Sequence, residues 1–366
     1  STLFSSAAFS SILGIANADG LQNGDSFRPP CFPLAVVCPY MNVWSCSDHP
    51  AESVPVHWDG SQIFWSASVS IDSGKSWHAI LGTRNTTVGV AKLTNSRVLP
   101  SRTIYSFAIG DAATCEMIFM SPAWDHDTDI ERASRPITHV RISCDSANGV
   151  MIRFESTADI VTPHTKFGEF RPFDSGFSEG DANASFKDSV GYQIMLGKSK
   201  QTPGKPIGNR LNWGKFYISA RVPVPQMGSV SKKLIGNPFG CRFEFDMKDK
   251  RSHADLVLAV DEETSVWYFG TPMPPHFRQF FGDKNESERK PKPDPDIAMK
   301  RMLLDAHSSR DNDCRACEKY DAALIQRATQ LGGAKYADLL SLARRQVYGG
   351  SVAVYNPVAN QTFVFV

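Results

Sequence analysis

The 366-residue chain has no apolar run approaching the ~18 residues a membrane helix requires, so no membrane span is expected. It also has almost no excess charge. Thirty-nine Lys and Arg stand against thirty-eight Asp and Glu, and a net charge of +1 builds no broad positive field of the kind phosphate backbones reward. Nucleic acid is therefore not an expected partner. The familiar catalytic signatures are missing too: none of the nine histidines lies in a His-Glu-x-x-His or Gly-x-Ser-x-Gly context. Gly74-Lys75-Ser76 lacks the glycine a phosphate loop needs five residues earlier, where Val69 stands. Asp125, Asp127 and Asp129 open like a calcium loop, but Ile130 and Pro136 occupy its obligatory glycine and final carboxylate positions. The residues call for no cofactor and no metal.

What is present fits a globular protein, with 42% hydrophobic and 21% charged residues. The first eighteen residues lack an initiator Met and a basic start, yet Ala16-Asn17-Ala18 satisfies the small-residue rule for signal cleavage. Segment 1–27 is thus either a signal remnant or an ordered mature N-terminus. Eight cysteines, an even number, allow up to four disulfides. Sequons stand at Asn85, Asn183, Asn285 and Asn360, and four of them with paired cysteines favour the secretory route, N-glycans and a secreted or cell-surface location.

From about residue 60 to 260 the dominant period is two, the mark of strands with one buried face. Ile63, Trp65, Ala67, Val69 and Ile71 alternate with Phe64 and serines. Val140, Ile142 and Cys144 alternate with Arg141 and Ser143, and similar patterns run through 150–155, 215–222 and 241–247. Strands separated by turn residues without intervening helices predict a mainly β fold, a large antiparallel β-sandwich over 28–289. The seven tryptophans are expected in its core. Segment 161–212 is longer than a typical connection and reads as a functional loop or an excursion across the sandwich.

The alternating prolines of 290–296 forbid helix and predict a linker. Beyond it, 297–366 reads as the start of a helical domain. Helices are expected over Ile297–Leu304, over Cys314–Leu331 with Gly332-Gly333 as a left-handed cap, and over Lys335–Tyr348. Tyr336, Leu339, Leu340, Ala343 and Val347 make one apolar stripe that needs a partner, and three helices are a poor independent domain. A short strand over Gln361–Val366 follows.

Candidate chemistry is sparse. Cys314-Arg315-Ala316-Cys317 has metal-ligand spacing, but no second pair completes a zinc site, leaving a disulfide between Cys314 and Cys317 or two half-buried helical thiols. Ser229 and Lys232 satisfy Ser-x-x-Lys in a segment, Pro223 to Gly236, that reads as turn-like. His139 alternates outward and reads as a surface side chain; Asp261-Glu262-Glu263 reads as a solvated turn that could in principle flank a glycosidic bond. No catalytic residue can be assigned.

A set of ordered landmarks carries a resemblance. Arg28-Pro29-Pro30-Cys31-Phe32-Pro33-Leu34-Ala35-Val36-Val37 and Pro39-Tyr40-Met41-Asn42-Val43-Trp44 are followed by His57-Trp58-Asp59-Gly60, Arg102-Thr103-Ile104-Tyr105 and Ser134-Arg135-Pro136-Ile137-Thr138. Then come Trp213-Gly214, Val266-Trp267-Tyr268-Phe269-Gly270 with Pro272, and Tyr336 to Ala343 with Arg345-Gln346. In order and spacing the chain resembles the secreted glutaminase A family of fungi and bacteria. The resemblance implies an N-terminal β-sandwich, a following helical domain like an (α/α) toroid, and an extracellular hydrolase that turns glutamine, a small-molecule amide, into glutamate and ammonia. Members continue past the strand matching Gln361–Val366 into most of their helical domain. The expected partner is accordingly a second polypeptide or C-terminal fragment that completes the toroid and carries the catalytic groups, by proteolytic processing or truncation; this chain alone is expected to be inactive. Two alternatives stand beside this reading: a catalytically inactive extracellular module that binds carbohydrate or protein, and a glycosidase-like enzyme.

Overall fold

The computed structural model describes residues 27–82, 88–122, 129–161, 169–173, 189–195, 210–211, 213–223, 226–235, 240–282 and 296–366. Its framework is two antiparallel sheets facing one another, as the period-two segments predict. The larger has eight strands in the spatial order β12 (Glu169–Phe173), β13 (Ser189–Met195), β14 (Lys215–Arg221), β17 (Arg251–Asp261), β10 (Ile137–Ser146), β9 (Ala113–Met120), β8 (Arg102–Ile109) and β7 (Lys92–Val98). The smaller has six, β15 (Gly228–Ile235), β16 (Gly240–Met247), β11 (Val150–Thr157), β4 (Ser66–Ser70), β5 (His78–Leu81) and β6 (Gly89–Val90), the last pair parallel. A three-stranded sheet of β1 (Phe32–Cys38), β2 (Met41–Ser45) and β3 (Val56–His57) closes one side. Two hairpins complete the set, β18 (Val266–Tyr268) with β19 (Thr271–Met273), and β20 (Val352–Asn356) with β21 (Gln361–Phe365).

Alternate side chains of both sheets point into one core. Trp65 bridges them, with its ring 6.3 Å from Phe154 of β11 and 6.2 Å from Phe216 of β14. Burial of such aromatic area is the main driving force for closing the two sheets. Two disulfides reinforce the β layer: Cys31–Cys46 ties the ends of β1 and β2, and Cys115–Cys144 joins directly opposed residues of β9 and β10. Segment 161–212 supplies β12 and β13 as an edge hairpin on the larger sheet. The stretch 226–235, expected to be turn-like, is the edge strand β15 paired along its length with β16. Its side chains are exposed or half-buried on both faces, so it carries little period-two signal.

The second face of the eight-stranded sheet is covered over β14, β17, β10 and the end of β9. A short helix, α1 (Ile130–Ala133), enters β10; another, α2 (Arg278–Phe281), follows β19; and the long helical element α3 (Ile297–Gly349) lies across this face. Ala298, Met299, Met302, Leu303 and Ala306 of α3 pack on Ile137, Tyr217, Val257 and Ala259. Helix runs unbroken through 305–313, joining the helices expected over Ile297–Leu304 and Cys314–Leu331. Asp305, Asp311 and Asp313 there accept from Arg135, Arg141 and Arg132, and Ser309 donates to Asp313, which keeps these side chains from competing with the helical backbone; Ser308 donates to the Leu304 carbonyl one turn back. At Gly333 (φ 80, ψ −179) the element breaks, as the diglycine predicts, and the second arm doubles back. Arg344 Nε donates to the Tyr320 hydroxyl at 3.1 Å across the two arms.

The second arm is anchored by the face opposite its apolar stripe. Ala337, Ser341, Leu342, Arg345 and Tyr348 are buried, and Arg345 donates to the Leu34 carbonyl at 3.2 Å. Tyr348 donates its hydroxyl proton to the Ala133 carbonyl at 3.0 Å, and Asn42 Nδ2 donates to the Gly349 carbonyl at 3.2 Å. The stripe itself is left open: Tyr336, Leu339 and Val347 are 42%, 50% and 56% exposed.

Candidate functional site

Three consecutive carboxylates end β17, and each meets a different fate. Asp261 is fully buried and held by the Arg278 guanidinium, with Nε at 3.3 Å. Glu263, exposed at the turn with φ 55, lies 3.3 Å from Lys215 Nζ. Glu262 is 5% exposed and has no cationic partner among the described residues. This run is therefore not the solvated turn its sequence suggests, because the turn is folded under the C-terminal arm of α3 and the β20–β21 hairpin.

Glu262 lines a pocket between the end of β1, the α1–β10 junction, the turn after β17 and the segment following α3. The pocket has a cavity volume of about 30 Å³. Its walls include Val37, Val260, Val352 and Val364. Burial pushes the Glu262 carboxyl up to about 7, against the lowering effect of the Ser265 hydroxyl and the Cys38 thiol; Asp261 pushes it further up. Burial and the Glu262 charge also drive the Cys38 thiol well above its ordinary range, so it is a poor nucleophile as it stands. Tyr40 is raised to about 12 by burial, then by Glu262 and Cys38. A carboxyl group that exchanges its proton near neutrality in a low-dielectric pocket is suited to acid–base work.

A second polar cluster is sealed between the eight-stranded sheet and α3. Arg141 clamps Asp255 through Nε and Nη2, both at 2.6 Å, and Arg310 of α3 reaches the same carboxylate at 3.4 Å. His307 of α3 meets the Ser219 hydroxyl at 2.9 Å. Asp313 accepts from Ser309 at 2.7 Å, forms an ion pair with Arg132, and lies 3.8 Å from His139 Nε2. His139 is thus buried beneath the helix rather than at the surface, since the polar face of its strand is covered by polar residues of α3. Burial holds both His139 and His307 below the usual imidazole range, His307 at about 4. With Asp255 and Asp313 paired to arginines this cluster is a structural seal, in which neither His139 ring nitrogen has a hydrogen-bond partner among the described residues.

Of the four sequons, Asn85, Asn183 and Asn285 lie outside the described residues. Asn360 is exposed in the turn between β20 and β21, at φ 52, with its side-chain oxygen accepting from the Tyr355 hydroxyl. Cys314 and Cys317 are free thiols one turn apart on α3, half-buried and buried respectively, so the disulfide alternative is not formed there. Successive turns of a regular helix direct both side chains at Met120 and its neighbours on the sheet. Ser229 and Lys232, three apart on a strand, fall on opposite faces and form no catalytic pair. Asp129 caps α1 by accepting from the Arg132 amide at 3.1 Å, while Asp125 and Asp127 lie outside the described residues. No group of three metal-ligating side chains occurs among the described residues, and no helix there is long and apolar enough to cross a membrane. Trp65 and Trp213 are buried as expected; Trp58 and Trp267 are exposed, and Trp124 lies outside the described residues.

No protein-family model matches the chain. Glutaminase A of Aspergillus oryzae is 24% identical over 204 residues, which cover 52% of this chain and 27% of the relative, so the match spans about a quarter of that protein's length. A solved structure assigned as a kojibiose phosphorylase from the human microbiome superposes with a TM-score of 0.40 at 10% identity, over 83% of this chain and 34% of the other. A superposition that loose supports no inference about activity. The chain is therefore similar, at a low level and over half its length, to a glutaminase A.

Proposed function

We propose that this chain is the β-sandwich portion, with the first helices, of a secreted glutaminase-A-like amidohydrolase. The observation that carries the reading is the identity to glutaminase A over 204 residues. The uncovered stripe of Tyr336, Leu339 and Val347 supports its second element, a further helical polypeptide that docks there as the next layer of an (α/α) toroid. Two disulfides and the exposed Asn360 sequon are compatible with secretion and N-glycosylation.

Hydrolysis of a carboxamide needs an attacking water or nucleophile, donors at the developing oxyanion and a proton for the departing ammonia. Glu262 has acidity suited to the last of these tasks. The attacking and oxyanion-binding groups are assigned to the docked helices. Ammonia release from glutamine tests the proposal: the chain alone is expected to be inactive, and addition of the helical polypeptide to restore turnover. Full turnover by this chain, shown by intact mass to be free of any second polypeptide, overturns it. Binding on a glycan array by the assembled protein without glutamine turnover would instead select the carbohydrate-binding module.

A further inference from the structure

The pocket beside Glu262 is rich in hydrogen-bond acceptors. Ser134 and Ser351, both in its lining, donate their hydroxyl protons to the carbonyls of Glu131 at 3.1 Å and Val347 at 2.7 Å. Tyr348 donates likewise to the Ala133 carbonyl. A hydroxyl whose proton is already committed offers a ligand only its lone pairs. The charge around the pocket has the matching sign. Arg135 is the lining guanidinium; its Nη atoms donate to Asp305 at 2.6 Å and Glu131 at 2.9 Å, its buried Nε has no hydrogen-bond partner among the described residues, and it lies 4.9 Å from the centre of the Phe281 ring. Glu262 is the lining carboxylate, and the charge acting on it is the negative one of Asp261. Glu262 is the member of the Asp261–Glu263 run left without a positive partner, and it is buried against the cavity.

We propose that this pocket is a subsite for a small ammonium group, either the ammonium ion or the terminal –NH3+ of a short primary amine, with the Glu262 carboxylate as its counter-ion. An ammonium centre has donors and no acceptors, the complement of committed hydroxyls and a carboxylate. The roughly 30 Å³ available to water-sized groups holds one or two such centres. The apolar walls suit a short alkyl tail on the outward side. Alkali cations are served less well, since they need a fuller shell of oxygens than the Glu262 carboxylate and the three committed hydroxyls supply. The inference goes beyond the glutaminase-like reading and does not need it, because it concerns binding by this chain alone.

Thermal unfolding and calorimetric titration of the chain test it, with ammonium, methylammonium, tetramethylammonium, sodium and potassium chlorides at equal ionic strength. Ammonium and methylammonium are expected to raise Tm and to titrate as one site at about pH 8. Sodium, potassium and tetramethylammonium are expected to do neither. Because Glu262 exchanges its proton at about 7, apparent affinity should fall about tenfold between about pH 8 and about pH 6. Glu262→Gln should abolish the response. If that variant does not fold, the salt series and pH profile of the unmodified chain decide. Equal responses to ammonium and potassium, a pH-independent response, a response to sodium acetate beyond that to sodium chloride, or binding retained in a folded Glu262→Gln overturn the proposal. Methylammonium matching ammonium points to an amine-bearing ligand, whereas ammonium alone points to the free ion.

Discussion

Arg102 and Asp321 meet at 2.9 Å where β8 passes beneath the first arm of α3, both nearly buried, and the second carboxylate oxygen accepts from the Ser101 amide at 2.9 Å. Removing Arg102 strands the buried Asp321 carboxylate, whereas Arg102 itself also donates to Glu318 at 3.0 Å. Arg102→Ala is therefore expected to cost about 3–5 kcal/mol, measured by urea unfolding, whereas replacing both residues by apolar side chains of similar volume should cost much less.

Gly333→Ala tests the hairpin in α3. A Cβ there meets nothing within 4 Å, so any loss of stability comes from the backbone, which at φ 80 and ψ −179 occupies a region reserved for glycine. The expected loss is about 1–3 kcal/mol. An Ala variant of unchanged stability would mean that the arms do not turn at this residue.

Glu262 sets one limb of the pH profile. Its carboxyl is raised from 4.5 to about 7, so the folded chain holds the proton more tightly than the unfolded one. The resulting stabilisation is complete below about pH 4.5 and is lost as pH rises through about 7, a change of at most about 3 kcal/mol. Comparing unfolding of the native chain with Glu262→Gln across that window should show the native stability falling relative to the variant.

His307 acts in the opposite sense. Its imidazole is lowered to about 4 by burial, and Arg221 and Arg310 add to the effect while Asp255 opposes it; neutral His139 shares the same layer. The folded chain resists protonation, so this contribution is present above about pH 6.5 and is lost as pH falls toward 4, up to about 3 kcal/mol. His307→Gln, which keeps a hydrogen-bonding group for Ser219, should flatten acid unfolding in that range. An unchanged acid limb would show that α3 does not seal this histidine.

The disulfide Cys115–Cys144 closes a separation of 29 residues, and its removal by paired Ser substitution should cost about 2–4 kcal/mol. Peptide mapping should find it together with Cys31–Cys46, with Cys38, Cys241 and Cys317 alkylated only after unfolding and Cys314 before them.

The strands around Ile142, Ile152, Phe216 and Phe243 were legible because apolar residues recur there at every second position, and so was the helix break at Gly332-Gly333. Alternation reports which residues are polar but not what medium they face. His139 was consequently misplaced in water, although with Arg141, Ser219 and Asp255 it faces Arg310, His307 and Asp313 of α3. The same blindness hid the helix through 305–313, whose carboxylates Asp313, Asp305 and Asp311 find their partners more than 160 positions away in Arg132, Arg135 and Arg141. Glu262 could not be told from its neighbours by type; it is singled out by which cation each carboxylate finds in space. The uncovered stripe, by contrast, needs only helical spacing to be seen.

The seal between α3 and the sheet also acts as a vernier. Sliding the helix along its axis by one turn, about 5.4 Å, would bring Ala306 or Cys314 to the place of Arg310 and Ser309 or Cys317 to the place of Asp313. Asp255, Arg132 and Ser219 would then lose their counterparts together, whereas methionines and alanines alone would tolerate the slip. Grease holds the rod on the sheet, and the charges choose the notch.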